Sequence, residues 1–152
     1  MKFLFCTFAL LMSNHSMAAD AIAEAKAVVT SHEKYAMAGD LDGVMSNAAE
    51  DIVVLASGVP LIEGKSAFRE FYGDLMAIGE QEFGHDYTGE EAIGGDLVVL
   101  HGVSRGSFTK ADGEVYQFSN NFVHVLRRGN DGKLKIWRAS FAPDAIPPQG
   151  GE

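Results

Sequence analysis

Three histidines, two of them on neighbouring strands, are the residues of this sequence best suited to chemistry. Taken as a two-residue hairpin, the Asp112-Gly113 turn sets His101 opposite His124, Val103 opposite Phe122 and Arg105 opposite Asn120. A tip at Asn130-Asp131 sets His124 opposite Trp137. Alternation along each strand then puts these residues on one sheet face, with a row His101–His124–Trp137 as the result. A slip of one residue would disperse that row. A neutral imidazole can take or give a proton near pH 7, and burial lowers its pKa because the charged form loses hydration. His124 and His101 are therefore the candidate acid and base, with His32 reaching in from a helix. Arg105 and Asn120 would add a cation and an amide able to hold a carboxylate or a carbonyl. Val103, Phe122, Trp137 and Tyr35 complete the candidate ligand wall. Plain structural readings stand beside these: a hydrogen-bonded or exposed histidine, a surface charge at Arg105, a core indole at Trp137. His85 lies in a polar run with Asp86 and Glu90-Glu91 and reads as exposed.

The elements that must hold these groups follow from hydrophobic period. Residues 21–38 carry Ile22, Ala25, Val28, Val29, His32, Tyr35 and Ala36 at spacings of three and four, a helix ended by Gly39. Asp40 can cap a short second helix with Leu41, Val44, Met45 and Ala48 inward. Residues 52–56 form a short strand, turned back by Ser57-Gly58-Val59-Pro60. Ser66 can cap a third helix with an aromatic face of Phe68, Phe71 and Tyr72. Residues 81–93, 97–109, 115–127 and 133–141 then read as four strands separated by Gly-rich turns. Helices first and antiparallel strands after argue for an α+β fold.

Residues 1–19 read as a secretory leader: Lys2, an apolar run over residues 3–12, then Ser16-Met17-Ala18. The run is too short to span a bilayer. Residues 20–142 make one domain, and residues 143–152 form a Pro/Gly tail. A periplasmic or secreted location is the expectation. Once Lys2 is removed, 11 basic side chains face 21 acidic ones, a net charge of −10. Such a charge repels phosphate backbones and argues against nucleic acid as a partner. The single cysteine, Cys6, falls inside the leader, which excludes a disulfide scaffold and a thiolate nucleophile from the mature chain.

Other motifs lead nowhere. Gly64-Lys65-Ser66 lacks the upstream glycine of a phosphate loop, since residue 59 is Val59. No serine sits in a G-x-S-x-G frame and there is no HExxH. Asp40-Leu41-Asp42-Gly43 resembles a fragment of a calcium loop without the ligands that should follow. His32, His101 and His124 could in principle form a three-histidine metal set, but no close-spaced ligand pair supports it. Neither a metal nor a cofactor is expected.

Ala38-Gly39-Asp40-Leu41-Asp42-Gly43-Val44-Met45, then Glu50-Asp51-Ile52-Val53-Val54, Gly64-Lys65-Ser66-Ala67-Phe68-Arg69-Glu70-Phe71-Tyr72 and Gly132-Lys133-Leu134-Lys135-Ile136-Trp137-Arg138 together resemble the nuclear transport factor 2-like superfamily, in its SnoaL-like and ketosteroid-isomerase-like branch. The resemblance implies a cone, with three N-terminal helices packed on a strongly curved, mainly antiparallel sheet and an apolar pocket between them. It also implies a homodimer joined through the outer sheet face. Carried over residue by residue, the isomerase's oxyanion tyrosine falls on His32, its general base on Ala56 and its protonated aspartate on His124. With no base at Ala56, the familiar isomerisation is not expected. Two functions follow. One is an exported domain that binds a small hydrophobic or amphipathic molecule. The other is an isomerase, dehydratase or hydrolase using the pocket histidines.

Overall fold

The computed structural model describes residues 6–144. The first five residues of the expected leader and most of the expected tail lie outside them. The elements run α1 (Cys6–Met37), α2 (Leu41–Ser46), β1 (Ala48–Ala56), β2 (Ile62–Glu63), α3 (Lys65–Ile78), β3 (Gly79–Ile93), β4 (Leu97–Lys110), β5 (Val115–Arg128) and β6 (Leu134–Pro143). No helix among the described residues is long and apolar enough to cross a membrane.

Among the described side chains of α1, Ala21, Ala25, Val29, His32 and Ala36 are buried, and their spacing of three and four makes one stripe against the sheet. The helix ends where Gly39 adopts φ 69°, a conformation that costs glycine nothing. Asp40 caps α2 by accepting from the Gly43 amide at 2.9 Å, a contact worth about 1 kcal/mol. α3 starts differently from expectation: Gly64, at φ 83°, takes the cap position, and Ser66 lies inside the helix.

The six strands form one sheet in the order β2-β1-β6-β5-β4-β3. β1 runs parallel to β6, and the other neighbours are antiparallel. The α+β class stands, but the expected cone of three N-terminal helices on a strongly curved sheet does not. α3 is not N-terminal with the other two helices: it follows β1 and β2 in the chain. The sheet is open, with β2 and β3 as edges that do not pair with each other, so it neither closes nor curls into a cone. Ile52, Leu100, Leu126 and Leu134 are the largest fully buried side chains of the core beneath the helices.

Both late hairpins turn through three residues where two were expected. At the first tip Lys110 N–H donates to Glu114 C=O at 2.9 Å, enclosing Ala111-Asp112-Gly113, with Gly113 at φ 89°. A three-residue loop with a left-handed glycine is a common hairpin form. The extra residue moves the β4–β5 register by one, so His124 faces Leu100 and His101 faces Val123. At the second tip Gly129 N–H donates to Lys133 C=O at 2.9 Å, with Gly132 at φ 76°. A further irregularity follows: Leu126 faces Ile136 and Val125 faces Arg138, so Trp137 is left without a partner across the ladder.

Candidate functional site

α1, α3 and the inner sheet face enclose a cavity of about 310 Å³. Eighteen residues line it, and none is an aspartate, glutamate, lysine or arginine. Aromatic rings dominate: Phe68, Phe71 and Tyr72 come from α3, and Phe83, Phe108, Phe118 and Phe141 come from the strands. The polar lining side chains are His32, Tyr72, Gln81, Ser104, Asn120 and His124. Ser104 and Asn120 face each other across the β4–β5 ladder, so a hydroxyl and an amide stand side by side on the sheet wall.

His32 enters from α1 and is 6 % exposed. Its Nε2 shares a hydrogen bond of 2.9 Å with the Tyr72 hydroxyl. The imidazole lies nearly parallel to the Phe68 ring, with centroids 6.3 Å apart. Burial pulls its pKa from 6.5 down to about 4, and repulsion from His85 adds to the fall. Burial likewise pushes the Tyr72 phenol well above its ordinary value, so it stays an O–H. His124, 2 % exposed, packs against Phe122, Phe141 and His85 at centroid distances of 5.1, 5.3 and 5.2 Å. Burial holds it well below its usual value, with His85 and then His32 contributing repulsion. The cavity thus presents two imidazoles that are neutral at pH 7.

The structure brings His32, Asn120 and His124 together on the cavity wall. Phe122 is buried behind that wall, edge-on to His85 at 4.4 Å. The remaining candidates are elsewhere, and the register explains it. His101 points to the outer face, exposed, with Thr88 Oγ1 at 3.2 Å from its Nδ1. Val103 shares that face, and Arg105 is exposed there in an ion pair with Asp86 at 2.5 Å. The row His101–His124–Trp137 therefore does not exist. Trp137 sits outside, its ring between the guanidinium groups of Arg127 and Arg138 at 4.4 and 3.9 Å. Its indole N–H donates to Asp51 at 3.0 Å. That hydrogen bond, with the one from Arg127, holds the Asp51 carboxyl below the ordinary carboxylate range. Tyr35 is exposed on α1, away from the cavity. The three histidines of the possible metal set do not converge, and no group of three or more metal-ligating side chains forms among the described residues.

One residue read as exposed is buried against the site, in contact with His124 although it does not line the cavity. The His85 side chain is 1 % exposed, and its Nδ1–H donates to the Glu33 carboxylate. Phe83, His85 and Tyr87 alternate on β3 with exposed Gly84 and Asp86, a period of two that marks His85 as inward. Glu33 follows His32 directly and gives no such signal.

The sequence profile of the SnoaL-like domain matches residues 28–139. No curated protein sequence matches the chain. Solved structures show the same fold. A ketosteroid isomerase-like protein from Erwinia carotovora atroseptica superposes with a TM-score of 0.74 at 17% identity, covering 82% of this chain and 97% of that one. A nuclear transport factor 2-like superfamily protein from Salmonella enterica serovar Typhimurium gives 0.75 at 12% identity, covering 88% and 98%. A protein of the same superfamily and unknown function from Pseudomonas putida KT2440 gives 0.67 at 18% identity, covering 85% and 98%. With the profile matched over residues 28–139, the chain belongs to the SnoaL-like domain family, and it shares its fold with these solved structures.

Proposed function

We propose that this protein is an exported small-molecule-binding domain whose cavity takes a neutral, largely apolar molecule with one or two hydrogen-bonding groups. The observation that carries this reading is the lining: aromatic and aliphatic throughout, with six polar side chains and no charged one. A carboxylate or ammonium ligand would be stripped of water there with no counter-charge, at a cost of several kcal/mol. A neutral molecule loses only weak hydration and gains the apolar wall. Ser104 with Asn120, and His32 with His124, supply the polar contacts.

Export is supported by the order of Lys2, apolar run and small residues at the start of the chain, and by the absence of cysteine after Cys6. A homodimer is supported by the outer sheet face. Leu55, Ser140, Val123 and His101 follow one another across β1, β6, β5 and β4. Leu55 and Val123 are 52% and 42% exposed there.

A second reading is an enzyme with His124 and His32 as its proton-transfer groups. Two neutral imidazoles on one apolar cavity favour it. Native mass spectrometry of protein purified from its natural host tests the first reading. A retained small molecule is expected, lost in His124→Ala and kept in His101→Ala, since His101 is on the far face. Empty protein, or loss of the molecule in His101→Ala alone, overturns the reading.

A further inference from the structure

Among the described residues, four buried side-chain polar atoms have no hydrogen-bond partner: His32 Nδ1, His85 Nε2, Tyr87 Oη and His124 Nδ1. Two of them belong to rings whose centroids are 5.2 Å apart, His85 and His124. Buried polar atoms are nearly always paired, by protein or by ordered water, because leaving one bare forfeits its hydration. The Glu33 carboxylate can only accept, so the contact consumes the Nδ1 proton of His85. In the neutral ring this leaves Nε2 as a lone pair. Two apolar rings pack edge-on against the imidazole, Phe122 at 4.4 Å and Phe83 at 5.9 Å between centroids. Tyr87 also contacts the ring, with centroids 6.3 Å apart and planes 24° from parallel. Among the rings in contact with His85, His124 is the imidazole that carries an unpaired nitrogen of its own.

We propose that Glu33 and His85 are positioning residues for His124: the carboxylate fixes His85, one bridging water carries the Nδ1–H of His124 to His85 Nε2, and His124 turns its Nε2 lone pair into the cavity. A neutral histidine has one donor and one acceptor nitrogen, so what happens behind the ring dictates what the cavity sees. The chain Glu33–His85–water–His124 makes the cavity an acceptor at this point. This rests on the cavity being a ligand site and narrows the ligand to one that offers an O–H or N–H group to His124. A molecule presenting only a carbonyl would meet lone pair against lone pair.

The test is the tautomer of His124, read by long-range proton–nitrogen correlation on the full-length protein labelled with nitrogen-15 histidine, at pH 7 and without ligand. The proposal expects the Nδ1–H form in the wild type and a shift toward Nε2–H in His85→Phe, which removes the acceptor and fills its space. A packing role alone would not move that signature. His124 found as Nε2–H in the wild type overturns the proposal, as does an unmoved tautomer in folded His85→Phe. Should His85→Phe not fold, Glu33→Ala serves instead. There His85 exchanges between tautomers and His124 is expected to follow it, and an unmoved His124 again overturns the proposal. No ligand enters this measurement, so its failure leaves the binding reading standing, and an empty cavity in mass spectrometry leaves the tautomer result standing.

Discussion

Mild acid should destabilise this protein through its two cavity histidines before its carboxylates contribute. Both are held neutral in the fold, with His32 lowered from 6.5 to about 4 and His124 lowered in the same direction. In the unfolded chain each protonates near its ordinary value. The stabilising contribution is therefore complete above that value and is lost as the pH falls toward about 4, because the unfolded chain takes up protons that the fold refuses. For His32 alone the loss between pH 7.5 and pH 5 comes to about 2 kcal/mol, a large share of the roughly 5–15 kcal/mol that holds a small domain together. Asp51, Glu24 and Asp131 have carboxyls held low by their partners and protonate below this window. Urea unfolding at pH 7.5, 6 and 5 gives the slope directly. The variant His32→Gln should be less stable at pH 7.5 yet lose about 2 kcal/mol less on going to pH 5. Equal losses in the wild type and in His32→Gln would refute the reasoning, because the proton uptake would then lie elsewhere.

Two further outcomes are expected. Tyr72→Phe removes the hydroxyl bonded to His32 and strands a buried ring nitrogen, which should lower stability by about 1–3 kcal/mol in urea titration at pH 7.5. Gly102→Ala places a Cβ against the carbonyl oxygen of Asp86 on the neighbouring strand. The β3–β4 pairing must shift to admit it, and amide exchange along β3 should quicken relative to β1 in the same molecule.

What the sequence made legible was what local chemistry decides. The Asp40 cap depends on one side chain reaching an amide three residues on, and it forms as read. The α1 stripe and the four late strands depend on period alone, and they too are present. The site was harder because it depends on register. Asp112-Gly113 is a strong signal for a tight turn, yet it does not say whether Ala111 belongs to the strand or to the loop. The hydrogen bond between Lys110 and Glu114 shows that it belongs to the loop, and that one residue sends His101, Val103 and Arg105 to the far face. His85 was misread from its acidic neighbours, although Phe83 and Tyr87 on either side carried the better clue. The pairings His32–Tyr72 and Glu33–His85 join residues 40 and 52 positions apart, and no local pattern announces them.

The three-residue tip at Ala111-Asp112-Gly113 gives loop length a role as a parity switch. Side chains alternate with a period of two, so taking one residue out of that tip exchanges every inward position of one strand for an outward one relative to its partner. A gap of one residue at this point in an alignment is therefore a change of inside for outside, and residues beyond it should not be matched to His124 by sequence position alone.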